Sequence, residues 1–255
     1  GWGNGVIWAL FFLLGLFQAT ACEALTLTDL LTRTRIFLRD TATSTSRQRF
    51  SDTQLTYFLN DSQKEVNLRT FAVVSSSRIQ LGSGTTEYSL PSTEIIVLRV
   101  TVDNVPVPER SFSFLDDEGT AWVTDSTGSV DSYYLRTSSS LVSGVSRESI
   151  GFHSSASSGT AIVDFLAQPS DLSVGTDTPF GSDNNRLLPF HHILAYRSAY
   201  MGWAALGNLD MAAVFLREYE AMIPAMEAAT KTRLSYNPNL RGNMPSQAPA
   251  QAAQR

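Results

Sequence analysis

Residues Leu188 to Met226 read LPFHHILAYRSAYMGWAALGNLDMAAVFLREYEAMIPAM, and the spacing of their apolar side chains predicts a pair of helices. Pro189 suits a first helical turn, where a missing N–H breaks no hydrogen bond. Gly207 and Asn208 interrupt the pattern, and a second helix is expected from about Asp210, whose carboxylate would face the positive end of the helix dipole. Pro224 should kink or end that helix. The apolar positions recur at helical spacing and are Ile193, Leu194, Tyr196, Ala199, Tyr200, Trp203, Met211, Val214, Phe215, Tyr219, Met222 and Ile223.

Two more helices are predicted near the N-terminus. Thr26 to Asp29 has the spacing of a capping box, in which a side chain at each end satisfies a free backbone N–H of the other. It indicates a helix from about Leu27 to Arg39. Ser51 to Gln54 is a second such box, and the helix that it opens has an apolar face. That face consists of Leu55, Phe58, Leu59 and Val66.

The middle of the chain reads as β-structure, because short runs of β-branched and aromatic residues replace the helical spacing. Asp103 and Asn104 predict the turn of a hairpin, and Pro106 places the second strand of that hairpin at a sheet edge. The predicted strands are Arg78 to Leu81, Glu87 to Leu90, Ile95 to Val102, Tyr133 to Arg136, Ile150 to Phe152 and Ala161 to Leu166.

These elements predict an α+β fold, in which the N-terminal and C-terminal helix pairs form a four-helix bundle around an inserted antiparallel β domain, followed by an extended C-terminal tail. The tail cannot build a core of its own, because it is poor in apolar residues and interrupted by proline. The predicted segments are an apolar N-terminal segment of uncertain role (1–25), the N-terminal helix pair (26–72), the β insertion (78–167), the C-terminal helix pair (187–230) and the C-terminal arm (231–255).

The N-terminal segment leaves two interpretations open. Val6 to Phe17 is a run of twelve apolar or glycine residues, shorter than the roughly 20 that a membrane-spanning helix needs but long enough for a signal-peptide core. Ala19 to Ala21 followed by Cys22 would then fit the cleavage site of an exported or lipid-anchored bacterial surface protein with a β-rich binding domain. No Lys or Arg precedes the run, which favours instead an added segment or an apolar arm buried against a partner.

Charge is distributed unevenly along the 255 residues, whose formal net charge is −5. The tail from Lys231 onward has four basic residues and no acidic one, so the rest of the chain holds 15 basic and 24 acidic residues. An acidic body argues against a broad surface for the DNA backbone, because such binding depends on Lys and Arg. The single cysteine excludes an internal disulfide framework.

No enzyme signature is present, since the chain lacks a nucleophile elbow, a phosphate loop, a dinucleotide-binding turn and a zinc-protease helix. His191 and His192 are adjacent and would point about 100° apart on a helix, so one metal would not readily bind both. Asp116, Asp117 and Glu118 read as a solvated turn rather than a cation site. We therefore expect no catalytic residue, no metal and no cofactor.

Five aromatic residues of the C-terminal helix pair are candidate assembly residues. Aromatic rings can stack on nucleic-acid bases, but no basic residues are interleaved with them in a run, which favours the bundle core or a subunit interface. Small residues on the first helix would permit close helix packing. The candidates are Tyr196, Tyr200, Trp203, Phe215 and Tyr219.

The order of helix pair, β insertion, helix pair and basic tail resembles that of the tailed-bacteriophage head–tail connector family, the adaptor or head-completion proteins. The resemblance covers about residues 26 to 230 and is architectural rather than catalytic. The stretches that carry it are RFSDTQLTYFLNDSQKEVNLRT (49–70), EYSLPSTEIIVLRVTVDNVPVPERSFSFLDD (87–117), DSYYLR (131–136), SIGFHSSAS (149–157), VDFLAQPSDLS (163–173) and the C-terminal helix pair.

The resemblance implies a structural virion protein at the head–tail junction, assembled in the host cytoplasm. Such a protein would form a homo-oligomeric ring, typically twelvefold, between the portal protein and a tail tube or nozzle protein. DNA would pass through the lumen without sequence-specific binding, and no membrane would be involved. The resemblance also implies that the tail reaches along the portal, with Leu234, Tyr236, Leu240 and Arg241 as the portal-binding arm.

Overall fold

The computed structural model describes residues 24–42, 47–82, 85, 87–111, 129–139, 146–153, 158–181 and 185–234. These residues form four α-helices, one 3₁₀ helix and seven β-strands, so the α+β class is confirmed. Three predicted features lie outside the described residues, namely the apolar segment with Cys22, the carboxylates Asp116 to Glu118, and the tail beyond Leu234.

Both N-terminal helices begin at the predicted capping boxes. Helix α1 spans Leu27–Leu38, and the Thr26 and Asp29 side chains each accept the backbone N–H of the other residue. Helix α2 spans Asp52–Thr70. The Ser51 N–H donates to Gln54 Oε1 at 2.9 Å, and the Gln54 N–H donates to Ser51 Oγ at 3.2 Å. Local side-chain hydrogen bonds therefore fix both helix starts.

The C-terminal helix pair differs from the prediction at its start. Pro189 lies in a 3₁₀ helix, Asn185–Phe190, and α3 begins after it at Ile193 and ends at Ala205. Helix α4 spans Leu209–Leu234. The predicted interruption at Gly207 and Asn208 is confirmed, and Asn208 has a further role, since its Oδ1 accepts the Met211 N–H at 3.1 Å and caps α4.

Pro224 does not end α4, so that part of its prediction is wrong. The helix continues to Leu234 with Pro224 inside it. Proline removes one backbone donor from the helix, at a cost of about 3 kcal/mol. Ile223 and Met226, on either side of the proline, are both buried, and their packing offsets that cost.

Five of the six predicted strand runs lie wholly within strands of two antiparallel sheets, and the sixth, Glu87 to Leu90, extends one residue beyond its strand. One sheet has four strands in the order β1-β7-β3-β4, and the other has three in the order β2-β6-β5. The strands are β1 (Val74–Gly82), β2 (Glu87–Ser89), β3 (Glu94–Val102), β4 (Val105–Val107), β5 (Ser132–Ser139), β6 (Ser146–His153) and β7 (Ser158–Ala167).

The predicted hairpin joins β3 to β4. Asp103 and Asn104 have φ angles of 48° and 67°, the left-handed values that a tight hairpin turn requires. Pro106 lies in β4 at the edge of the four-stranded sheet, as predicted. Side chains of both sheets, among them Val163 and Ile150, share one buried core.

The described residues divide into two compact units. One holds residues up to Arg69 together with Ser170 to Ala229, and the other holds Thr70 to Pro169. The first is the helical unit, and the second contains all seven strands. Among the described residues, no helix is long and apolar enough to cross a membrane.

The connector that precedes the 3₁₀ helix is bound to α2 by side-chain amides. Asn60 Nδ2 donates to the Leu172 carbonyl at 3.1 Å, and the Leu172 N–H donates back to Asn60 Oδ1 at 2.8 Å. Gln63, fully buried, accepts the Phe180 N–H and donates to the Ser170 carbonyl. Because both amides bond to backbone, this part of the connector is anchored to the helical unit.

Candidate assembly surfaces

A polar cluster joins α2, α3 and α4 around the ring of Tyr219. The ring is fully buried, and its hydroxyl donates to Glu65 Oε1 at 3.1 Å. Arg197 binds the other oxygen of Glu65 through Nε and Nη2, both at 2.7 Å. Arg69 forms a two-pronged pair with Glu220 at 2.7 and 2.6 Å. The cluster therefore connects three helices through charge-assisted hydrogen bonds.

Two arginines also lie over the faces of the Tyr219 ring. The guanidinium carbons of Arg69 and Arg197 lie 5.4 and 5.5 Å from the ring centroid. Burial raises the pKa of Tyr219, and the Glu65 carboxylate adds to the rise, so the hydroxyl stays a donor at neutral pH. The hydrogen bond to Arg69 is the main reason that the pKa of Glu220 is lowered.

A second cluster is aromatic and joins α1 to α3 and α4. The rings of Phe37 and Tyr196 are 4.9 Å apart between centroids, and those of Phe37 and Phe215 are 5.4 Å apart. Trp203 Nε1 donates to the Phe37 carbonyl at 3.2 Å. Trp203 is itself buried, whereas Tyr196 and Phe215 are half-buried. These contacts are aromatic packing of the kind that contributes beyond buried area.

Tyr200, the fifth candidate, is half-buried and has Arg197 over its ring at 4.6 Å. All five aromatic candidates therefore lie in the helical unit and contact other side chains of the same chain. Whether any of them also contacts a second subunit stays a prediction. The charged partners Glu65, Arg69 and Arg197 were not predicted from the sequence, and their only local sign is the four-residue spacing between Glu65 and Arg69.

The small residues of α3 allow the close packing that was predicted for them. A Cβ atom on Gly202 would lie 2.6 Å from Leu38 Cδ2, so glycine lets α1 approach α3 at this point. Leu38, Ala199, Trp203 and Ala212 share one buried apolar cluster. The helical unit therefore has a core to which α1, α3 and α4 all contribute.

The two adjacent histidines occupy different environments. His191 is fully buried, and its side chain packs near the ring of Phe180 at 6.2 Å between centroids. Burial lowers the pKa of His191 to about 4, and it also lowers the pKa of half-buried His192. In the described part of the chain, no three His, Cys, Asp or Glu side chains come together in a group that could hold a metal ion.

Several large apolar side chains are exposed on the helical unit. Leu206 and Leu209 flank the connection between α3 and α4, and Leu209 is 71% exposed. Ile36 on α1, Tyr57 on α2 and Val214 on α4 are exposed as well. These residues lie on different helices, and single exposed apolar side chains are ordinary on a protein surface, so they do not by themselves identify an interface.

Of the predicted arm residues, only Leu234 lies within the described residues, where it is the last residue of α4. The segment 231–234, which was predicted as part of the arm, is therefore helical. Tyr236, Leu240 and Arg241 lie outside the described residues.

Comparison with known families gives a match that covers most of the chain. A family model described as SU10 adaptor protein matches residues 25–242. The match includes all four helices and both sheets, and it extends past the end of α4. No curated protein matches the chain.

Proposed function

Because the chain belongs to the SU10 adaptor protein family, a family of phage structural adaptors, we propose that it is the head-to-tail adaptor of a phage virion. It forms a ring between the portal protein and a tail tube or nozzle protein, and the phage genome passes through that ring. The observation that carries this proposal is the family match over residues 25–242.

The helical unit supports the proposal in two ways: its helices are connected by side-chain contacts, and it has exposed apolar side chains. The polar and aromatic clusters connect each helix to at least one other, which favours the predicted four-helix bundle. Exposed apolar side chains on α1, α2 and α4 then remain for other subunits. An acidic body suits a channel through which DNA slides without binding.

The C-terminal arm is the segment that we assign to the portal. The family match runs through Tyr236, Leu240 and Arg241, whereas it begins at residue 25 and leaves out the apolar N-terminal run. The inclusion of this segment in the matched region favours an assembly role over a dispensable tail. Since α4 extends to Leu234, the portal-binding part begins beyond the helix.

Ring formation is tested by native mass spectrometry and electron microscopy of the full chain, alone and with purified portal. We expect a closed ring of about twelve copies, or a ring that forms only on the portal. A chain that stays monomeric under both conditions would refute the adaptor function. A membrane-associated monomer acylated at Cys22 would support the exported, lipid-anchored alternative instead.

Portal attachment by the arm is tested with a truncation after Leu234, which leaves α4 intact. We expect normal helix content and loss of portal binding. A substitution variant in which serine replaces Tyr236, Leu240 and Arg241 should behave in the same way. Serine at Gln247, Gln251 and Gln254 provides the matched control, and portal binding by the truncated chain would exclude the arm assignment.

A further inference from the structure

The outer face of α1 has an exposed apolar residue between two arginines. Ile36 is 55% exposed, Arg33 lies three residues before it, and Arg39 directly follows the helix. Arg33 and Ile36, three residues apart, lie on one face of the helix, and Arg39 is the C-cap residue just beyond it. Both arginines are exposed. Among the described residues neither forms a direct ion pair, and Arg33 has a weaker electrostatic interaction with Asp29, four residues earlier. We call Arg33, Ile36 and Arg39 the basic stripe.

The outer face of α4 has the opposite pattern. Val214 is 41% exposed, and Asp210 and Glu218 lie four residues before and after it on the same helix face. Both carboxylates are exposed. Asp210 has no ion pair among the described residues, and Glu218 has only Arg217 at 3.8 Å, a solvent-exposed contact worth little. We call Asp210, Val214 and Glu218 the acidic stripe.

The two stripes lie at the same level of the helical unit. Phe37 and Phe215 follow Ile36 and Val214 in sequence, and their rings are 5.4 Å apart. Arg33 and Ile36 are separated by about 4.5 Å along the helix axis and the two carboxylates by about 12 Å, at 1.5 Å per helical residue. The two stripes therefore overlap in level, yet within one chain they do not pair with each other.

We propose that the basic stripe of one copy docks on the acidic stripe of the next copy. The proposal rests on the ring proposed above and names its lateral interface. The proposal includes a ring axis that runs roughly along α1 and α4. Rotation about such an axis keeps every residue at a constant height, so two different patches at one level can meet around the whole circle. Ile36 and Val214 form the apolar centre of this contact, and the opposite charges form its rim.

The test reverses the charge of each stripe separately in the full-length chain. Variant A is Arg33→Glu with Arg39→Glu, and variant B is Asp210→Arg with Glu218→Arg. Either one alone would bring like charges together at every interface. We expect each to raise the concentration needed for half-maximal ring formation, measured by native mass spectrometry or on the portal, by at least about tenfold.

An equal mixture of A and B should restore assembly. The acidic α1 of A then faces the basic α4 of B, and the basic α1 of B faces the acidic α4 of A. Because A and B differ in mass, native mass spectrometry should show rings with equal numbers of each. Restoration in the mixture excludes misfolding as the reason that either variant fails alone, including any cost of Asp210→Arg at the N-terminus of α4.

Three further variants complete the test, one as a charge control and two as a matched apolar pair. Arg186→Glu reverses an exposed charge elsewhere in the helical unit and should assemble normally. Val174→Asp should also assemble normally, whereas Ile36→Asp should not, although both replace an exposed apolar side chain. If the wild-type chain forms rings and neither A nor B assembles less well than it does, the proposed interface is wrong but the proposed function stands. The same conclusion follows if the mixture of A and B fails to assemble. A wild-type chain that never forms rings would overturn the proposed function as well.

Discussion

Replacing Gly151 with alanine should destabilise the three-stranded sheet by displacing the Tyr134 ring. Gly151 lies in the central strand β6, with Tyr134 as its register partner on β5 and Glu87 on β2. The Tyr134 ring lies directly over the glycine, so an added Cβ would fall on its Cζ, Cε2 and Oη atoms. Tyr134 is 4% exposed, and it must leave this position if Gly151 gains a side chain.

The expected cost follows from the surface that the ring would expose. A tyrosine ring buries roughly 150 to 250 Å², and losing about 100 Å² of that burial at about 25 cal/mol per Å² costs about 2.5 kcal/mol. Alanine gains back roughly 0.5 to 1 kcal/mol, because it has less backbone freedom to lose on folding than glycine. The net loss in the free energy of unfolding should therefore be about 2 kcal/mol.

Urea denaturation of Gly151→Ala beside Gly82→Ala measures this effect. Gly82 ends strand β1, and a Cβ built there meets no atom within 4 Å, so its replacement should be neutral or slightly stabilising. In a Tyr134→Ala background, Gly151→Ala should be stabilising by roughly 0.5 to 1 kcal/mol. The coupling energy between the two positions is then about 2.5 kcal/mol, the cost assigned to the ring. Equal effects at the two glycines, or a cost that persists without the tyrosine ring, would refute the reasoning.

Four other substitutions, at three positions, test buried polar groups of the helical unit. Asp40→Ala should lower the free energy of unfolding by about 2 to 3 kcal/mol in urea denaturation, since it leaves Arg35 and two backbone N–H groups without their buried acceptor; a cost below that of an ordinary surface substitution would contradict this. Tyr219→Phe should cost only about 1 kcal/mol by the same measurement, because Glu65 is partly exposed and can bind water, whereas Tyr219→Ala should cost about 3 to 5 kcal/mol. His191 has a pKa of about 4 when folded and about 6.5 when unfolded, so the unfolded chain binds its proton first as the pH falls. Between pH 7 and pH 5 the free energy of unfolding of the wild-type chain should therefore fall by about 2 kcal/mol more than that of His191→Leu. Equal pH dependence of the two free energies would disprove this.

The elements that could be predicted from the sequence are those that local rules decide. The capping boxes at Thr26 and Ser51 satisfy backbone groups within three residues, and the turn at Asp103 and Asn104 depends only on their own backbone preferences. The strand runs are visible for the same reason, since their composition is a local property. The partition of the strands into two sheets depends on contacts between residues far apart in sequence, so no local pattern indicates it.

Only the apolar residues of the candidate assembly surfaces could be predicted from the sequence. Helical spacing identified the aromatic residues of α3 and α4, but nothing near Arg197 indicates that it binds Glu65, which lies 132 residues earlier. The same holds for Gln63, which fixes a connector more than 100 residues away. Pro224 was misjudged because a local rule, which ends helices at proline, is outweighed by the burial of Ile223 and Met226.

The proposed basic and acidic stripes would fix how neighbouring copies align in the ring, but they would contribute little to the free energy of association. Exposed ion pairs contribute roughly 0 to 1 kcal/mol each, and two half-exposed apolar side chains add little more. A single lateral contact of this kind is therefore weak. Copies that are held side by side by their arms on a portal have a high effective concentration, and under that condition weak contacts close a ring. Because the contacts are charged and exposed, ring formation should weaken as salt is raised, while the arm remains attached through its apolar residues.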